Sequence, residues 1–311
     1  MMRIRLNNYP PSVPLYQRGA GGHKLLLLLN MIISKTISSL RNEIQSWRDQ
    51  GLSIAFVPTM GHLHSGHIAL VNAASEKCDR VVVSIFVNPL QFNEASDFSA
   101  YPVTLEDDQQ KLVEAEADLL YLPTTDQMYP QGQEKASKVA VPEISDELEG
   151  ACRPGHFDGV ATVVLKLFNQ VQPDVAFFGE KDYQQLLLVQ KMVRDLDLDI
   201  EINSVSTYRE SDGLAMSSRN SRLTEKQRLL APELYRQLKL LSEQLKSGST
   251  EIEKLEKLAK QQLKNAGFEP EYISVRDCSS LLPADNKTSN RIVLGAAKIG
   301  DIRLIDNIIV D

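Results

Sequence analysis

Apolar and polar positions follow two rhythms along most of the chain. Short, nearly continuous apolar runs occur at Ser53 to Pro58, Arg80 to Val87, Asp118 to Leu122 and Asp174 to Phe178, and a strand is also read near Ile200 to Ser206, where Ile200, Ile202 and Val205 are interleaved with polar residues. Between them lie stretches with apolar residues three and four apart: His67 to Lys77, with Ile68, Leu70, Val71 and Ala74 in phase, then about Thr104 to Glu116, Phe157 to Val171 and Tyr183 to Leu196. The first rhythm predicts buried strands and the second predicts helices. Their alternation predicts an α/β unit with a parallel sheet. A shorter run at Lys138 to Val141 is predicted as one more strand.

The pattern changes after Ser206. Thr224 to Gly267 is rich in Leu, Lys, Glu and Gln at helical spacing, broken at Pro232 and at Lys246-Ser247-Gly248, and predicts paired helices. Strand-like runs follow at Tyr272 to Arg276, Arg291 to Ala297 and Arg303 to Val310, so a smaller α+β unit with an antiparallel sheet is expected. The chain is divided accordingly into residues 1–30, 31–206 and 207–311, with Thr207 to Asp212 as a hinge and no internal repeats. Met1 to Asn30 stands apart, with Pro10, Pro11, Pro14 and a Gly19-Ala20-Gly21-Gly22 stretch ahead of Leu25 to Leu29. A disordered tail or an upstream-extended translation start is expected there. A secretory signal, with Arg3 and Arg5 as its basic end, is the competing reading. Against it, the prolines precede a short apolar run and no A-x-A-like cleavage site follows.

Composition narrows the function classes. With 311 residues, 42% of them hydrophobic, the chain can bury a substantial core. A net charge of -7 and a pI near 5.4 argue against non-specific nucleic-acid binding, which clusters of Lys and Arg drive. Cys78, Cys152 and Cys278 are odd in number and far apart, giving neither a disulfide framework nor a zinc spacing, and a reducing cytoplasm is expected. No run approaches the roughly 18 consecutive apolar residues of a membrane span, so no membrane partner is expected.

The chemistry gathers where strands end. Pro58-Thr59-Met60-Gly61-His62-Leu63-His64-Ser65-Gly66-His67 joins the first strong strand to its helix through a Gly-containing turn. Unpaired N–H groups and the positive end of the helix dipole then face whatever lies above the sheet. A spacing of three brings the His64 and His67 imidazoles onto one helix face, close enough to grip one phosphate group. The bland alternative is a structural pair capping the helix. Asn88 to Gln91 and Gly179 to Asp182 also follow strands, so three distant segments are expected to converge on one crevice.

The blocks PTMGHLHSGH at 58–67, VVVSIFVNPLQF at 81–92, YPVTLEDD at 101–108, LEGACRPGHFDGVATVV at 148–164, FFGEKDYQQL at 177–186 and DGLAMSSRN at 212–220 carry a resemblance. The turn resembles the HxGH signature of the nucleotidyltransferase superfamily, and the full set, in order from about Met31 to Asp311, resembles the pantothenate synthetase (pantoate–β-alanine ligase) family. That resemblance implies a Rossmann-like N-terminal unit, a C-terminal lid and a homodimer. It implies ATP-dependent joining of pantoate to β-alanine through a pantoyl-adenylate, with Mg²⁺ accompanying ATP. Residue by residue, it implies that Pro58, Thr59, Met60, Gly61, His64, His67, Gly179, Glu180, Lys181, Asp182, Tyr208, Met216, Ser217, Ser218 and Arg219 seat ATP. Of these, His64, His67, Lys181, Ser217, Ser218 and Arg219 would act in catalysis. Met60, Asn88, Gln91 and Gln185 would seat pantoate, and Arg153 and His156 would organise the site.

For Lys181 and Asp182 the bland reading is a solvated charge cluster, and for Met216 to Asn220 a polar loop. A Lys at the crevice mouth instead stabilises charge building on a transferring phosphoryl group, and an Arg on a lid adds charge when the site shuts. Lys181, Arg219, the two histidines and Mg²⁺ are together expected to neutralise the anions. Asp107 and Asp108 read equally as acids at a helix N-terminus or, by the resemblance, as a Mg²⁺-associated pair. His62 is expected to be a surface substitution rather than a ligand, because no carboxylate or thiol lies nearby in sequence. Two other readings compete. A different nucleotidyltransferase would not be expected to pair Gln91 with Gln185, and a non-catalytic nucleotide-binding module would have lost Lys181 or Arg219.

Overall fold

The structure is a computed structural model that describes residues 31–92, 98–99 and 101–310, so the expectations for Met1 to Asn30 lie outside the described residues. Its larger unit is a six-stranded parallel sheet of β1 (Ile32–Ser34), β2 (Ile54–Thr59), β3 (Arg80–Ile85), β4 (Leu119–Tyr121), β5 (Val175–Gly179) and β6 (Glu201–Val205), in the order β1-β4-β3-β2-β5-β6. Helices α1 (Ile37–Arg48), α2 (Ser65–Lys77), α3 (Leu105–Glu114), α4 (His156–Val171) and α5 (Tyr183–Asp195) connect and cover it. Both faces of the inner strands β2, β3, β4 and β5 are packed, which is why these read as apolar runs, while the edge strands β1 and β6 are more exposed. In β2, Ile54 and Phe56 join the core under α1, α4 and α5, while Ala55 and Val57 join the one under α2 and α3.

The predicted elements return within a few residues of their expected ends, apart from one strand. β1 and α1 were not marked in the sequence; β1 is a three-residue edge strand paired with β4, and α1 is the twelve-residue helix that follows it. The strand expected at Lys138 to Val141 does not form. Its segment lies against α4 without a partner strand, and a side chain takes its backbone donor: Val139 N–H binds Thr162 Oγ1 at 2.9 Å.

The second sheet is antiparallel, β7 (Glu269–Asp277), β8 (Arg291–Ile299) and β9 (Ile302–Val310), in that order. Helices α6 (Glu233–Lys246) and α7 (Ile252–Asn265) pack on one face through Leu234, Leu238, Leu241 and Leu263. From the other face Ile292, Leu294 and Tyr272 join the core beneath α4 and α5. An ionic knot seals this junction: Arg303 donates to Glu149 at 2.6 and 2.7 Å and to Glu271 at 2.7 and 2.9 Å, and the Tyr272 hydroxyl donates to Glu149 at 2.7 Å.

Backbone contact requires a glycine at Gly150, where a Cβ would lie 1.7 Å from the Ser145 carbonyl oxygen, and again at Gly159. α4 crosses the turn Pro89–Gln91 at Gly159, where a Cβ would lie 2.4 Å from the Leu90 carbonyl oxygen. Among the described residues no helix is long and apolar enough to cross a membrane.

Candidate active site

The sheet order reverses beside β2: β3, β4 and β1 lie on one side, β5 and β6 on the other. The loops leaving β2 and β5 therefore diverge and open a crevice at their carboxyl ends. A cavity of about 170 Å³ fills it, lined by Pro58 in β2 with Met60, His64 and His67 after it, by Gly179 at the end of β5 with Lys181, Asp182 and Gln185 after it, and by Tyr208, Met216, Ser217, Ser218 and Arg219 across the mouth.

The β2 side is built from main chain. His64 is the N-cap of α2 and its Nδ1 accepts the Gly66 N–H at 3.2 Å, while His67 Nδ1 accepts the His64 N–H at 3.3 Å. Two orphan donors of the first turn are satisfied reciprocally. With both Nδ1 atoms accepting, each neutral ring carries its proton on Nε2 and presents a donor. The rings lie 4.0 Å apart between centroids. Burial, aided by Lys181, lowers His64 to about 4, and burial together with its neighbour His64 holds His67 well below the ordinary range. The expectation that the histidines neutralise charge is thereby corrected: at neutral pH they are uncharged N–H donors.

Asp108 fixes the same turn from below. Its carboxylate accepts the N–H of His62 at 2.8 Å and of Leu63 at 2.7 Å, and the Thr104 hydroxyl at 3.2 Å. Asp107 is exposed on the outside of α3, so the two carboxylates do not converge. Gly61 has φ +82, and a Cβ there would come 3.1 Å from Asp108 Oδ2. His62, expected at the surface, is half-buried and pinned between loops. Nδ1 meets Thr104 Oγ1 at 3.2 Å, Nε2 meets Ser221 Oγ at 3.1 Å, and its carbonyl accepts the Ser218 hydroxyl at 3.1 Å.

Opposite stands Lys181, on the helical turn Glu180–Asp182, its Nζ 3.6 Å from Asp182 Oδ2. Glu180 turns away and accepts the Ser204 hydroxyl at 2.8 Å. The mouth is a loop in which Ser217 caps the turn Ser218–Arg222 by accepting the Arg219 N–H at 3.2 Å. Two adjacent glutamines divide their labour. Gln184 anchors the carbonyls of Ile144 and Glu147 at 2.6 and 2.8 Å, leaving Gln185 on the cavity wall.

Not every expected residue reaches the cavity. Gln91 lies behind Met60, with Nε2 2.8 Å from its Sδ, and its carbonyl is held by Arg153 at 3.1 Å and His156 Nδ1 at 2.7 Å. Asn88 is buried and committed to Gln91, Gly159 and the Tyr129 hydroxyl. Thr59 donates to the Ser84 carbonyl at 2.8 Å and accepts the Gly61 N–H at 3.2 Å, shaping the turn rather than lining the cavity. Among the described residues no three His, Cys, Asp or Glu side chains are grouped to hold a metal.

The sequence model of a family described as "Pantoate-beta-alanine ligase" matches residues 32–309. The chain belongs to the pantoate–β-alanine ligase family. A pantothenate synthetase of Shewanella sp. (strain MR-7) is 52% identical over 278 residues, which are 89% of this chain and 99% of that relative. The pantothenate synthetase of Thermus thermophilus superposes with a TM-score of 0.83 at 42% identity, over 90% of this chain and 99% of its own. A pantoate-β-alanine ligase from Francisella tularensis, solved in complex with β,γ-ATP and β-alanine, gives a TM-score of 0.76 at 36% identity, over 90% and 97%.

In this pantoate–β-alanine ligase family member the residues not assigned from sequence are chiefly apolar or aromatic walls. Tyr101, Phe177 and Phe178 line the cavity. Burial raises the Tyr101 phenol above its ordinary range, and its side chain bonds Ser218 on the mouth loop. Tyr101 precedes the LEDD segment and was visible in its block, but nothing local distinguishes a wall tyrosine from a core one.

Proposed function

We propose that the chain catalyses ATP-dependent condensation of pantoate with β-alanine to pantothenate, AMP and pyrophosphate. The observation that carries this is one cavity in which two neutral Nε2–H donors face Lys181, with Gln185 on the wall and the Ser217–Arg219 loop over the mouth. A pantoate carboxylate oxygen attacks the α-phosphorus of ATP, pyrophosphate leaves, and a pantoyl-adenylate forms. The β-alanine amine then attacks the acyl carbon, loses a proton and expels AMP. No covalent enzyme nucleophile takes part.

The chain's residues supply position and charge. His64 and His67 donate to phosphate oxygens without adding charge, while Lys181 and Arg219 offset the charge that builds as pyrophosphate departs. Pro58, Met60, Gly179, Asp182, Tyr208 and Met216 frame the nucleotide. Gln185, with Met60 and with Gln91 behind it, seats the hydroxy acid, an amide being both donor and acceptor. Shielding by the mouth loop keeps water from the adenylate. In this reading residues 31–206 form the nucleotide- and pantoate-binding unit and 207–311 the lid unit.

Mg²⁺ belongs to the reading as the ion that accompanies ATP and shields its phosphates. The Asp107–Asp108 pair does not fit as its seat, since Asp108 is spent on two backbone N–H groups and Asp107 points outward. A homodimer and a cytoplasmic location, the latter consistent with free Cys78, Cys152 and Cys278, complete the proposal.

Purified protein given ATP, Mg²⁺ and pantoate alone is expected to exchange labelled pyrophosphate into ATP, and on addition of β-alanine to form pantothenate. Exchange that required β-alanine would overturn the two-step chemistry. Equal exchange with unrelated carboxylic acids would overturn the substrate and leave adenylation standing.

A further inference from the structure

β9 carries two adjacent polar residues that are almost fully buried, Asp306 at 4% and Asn307 at 6% exposure. Neither lies within the sequence motifs that gather the site, yet each binds a segment that forms one or leads into one. Successive strand residues point to opposite faces, and this pair divides its bonds accordingly. Toward the helix side, Asp306 takes a two-pronged bond from Arg209, Nη1 at 2.6 Å and Nη2 at 2.9 Å. Arg209 also lies 4.0 Å over the Tyr235 ring and donates to the Gly213 carbonyl at 3.1 Å. It belongs to a small hairpin closed by Glu210 N–H to the Leu214 carbonyl at 2.8 Å and Met216 N–H to the Tyr208 carbonyl at 2.9 Å. That hairpin delivers the chain directly into Ser217, Ser218 and Arg219.

Toward the parallel sheet, Asn307 Nδ2 donates to the carbonyls of Glu180 at 2.8 Å and Lys181 at 3.0 Å. These carbonyls belong to the helical turn that aims Lys181, and no side chain caps its start. One strand thus grips both the turn that carries the lysine and the hairpin that carries the arginine.

We propose that Asp306 and Asn307 are positioning residues: Asn307 orients Lys181 through its peptide, Asp306 orients the Arg219 loop through Arg209, and β9 sets the spacing between the two cations. The proposal rests on the adenylating role of the cavity. Burial pushes the Asp306 carboxyl up while Arg209 pulls it down. Removing either partner strands a buried charge, a large destabilisation by itself. Asn307 is neutral and gives the cleaner test.

The experiment is a double-mutant cycle between Asn307→Ala and Lys181→Ala, with Asn307→Ser as a variant that keeps one donor. Asn307→Ala is expected to lower kcat of pantoate-dependent pyrophosphate exchange about thirtyfold, somewhat less than the roughly hundredfold that a misplacement of about 1 Å can cost, with pantoate KM within about twofold. Asn307→Ser recovers part of the loss. In the Lys181→Ala background Asn307→Ala costs nothing further, because the group it positions is gone. The same cycle read calorimetrically on the dissociation constant of ATP is expected to show weakening by Asn307→Ala only when Lys181 is present. A loss of equal size in both backgrounds, or a kcat within about threefold of the parent, overturns the proposal. Parent protein that binds ATP but exchanges no pyrophosphate with pantoate would refute the ligase reading, and the calorimetric cycle would still decide the role of Asn307.

Discussion

On the β2 side of the cavity, His64 and His67 present N–H groups whose direction main-chain amides fix. On the β5 side and at the mouth, Lys181 and Arg219 present long basic side chains. The first wall is already organised: the bonds that aim its donors are the bonds that start α2. The second depends on turns braced from β9, the Lys181 turn by Asn307 and the hairpin before Ser217 by Asp306. The contrast teaches that orientation and charge come from separate groups here. Placing two imidazoliums 4.0 Å apart and beside Lys181 would add repulsion to desolvation, and the structure avoids it by keeping both rings uncharged.

The largest expected effect strikes the charged wall. Lys181→Ala is expected to lower pyrophosphate exchange about a thousandfold while the melting temperature stays near that of the parent. Retention of more than about a tenth of the activity would mean that the second wall does not supply the charge. On the neutral wall, His67→Ala is expected to cost about a hundredfold in kcat, the scale for losing one aimed donor. Nitrogen-resolved NMR of the parent is expected to find both rings in the Nε2–H tautomer at pH 7, and kcat is expected to show no break between pH 6 and 8. An imidazolium signal for either ring at neutral pH would erase the distinction between the walls.

Smaller effects sharpen the comparison. Gln185→Ala is expected to raise the pantoate KM about tenfold and leave the ATP KM nearly unchanged, as loss of one or two neutral hydrogen bonds predicts. A separate effect is on stability against pH. His64 and His156 are lowered from 6.5 to about 4 in the folded chain, and His67 is lowered too, so the unfolded chain binds more protons across that window. Their contribution is complete above about pH 6.5 and is lost as pH falls toward 4. Melting temperatures measured from pH 7.5 to 5 should fall on the acid side, and His156→Gln should flatten the slope. An unchanged slope would remove His156 from the account.

Most of the fold was legible because strands packed on both faces and helices with one apolar stripe leave separate periodic traces, as in β2 and α2. Lys138 to Val141 misled because a short apolar run has no signature distinguishing a strand from a segment pinned by Thr162. The turn after β2 was legible as a strand, a glycine and a helix start in local sequence. Residues that build it from afar were not. Asp108 lies 46 positions from the His62 amide it accepts, and reads as a generic acid in the first turn of a helix. The charge state of the histidines was equally hidden, since it depends on burial and on which ring nitrogen the backbone occupies. Tyr101 and His62 gain their roles only when the Ser218–Ser221 segment closes against them.

Gly159 limits how the layer behind Met60 can change. Its helix rests directly on the Leu90 carbonyl, leaving no space for even one methyl group. Replacement by alanine would lift the Pro89–Gln91 turn, and with it the amide behind Met60. A descendant of this chain evolving toward a bulkier acid would therefore find no gradual route through position 159. Its accessible steps lie at Met60 and Gln185, whose side chains border open volume and can shrink or lengthen by single atoms.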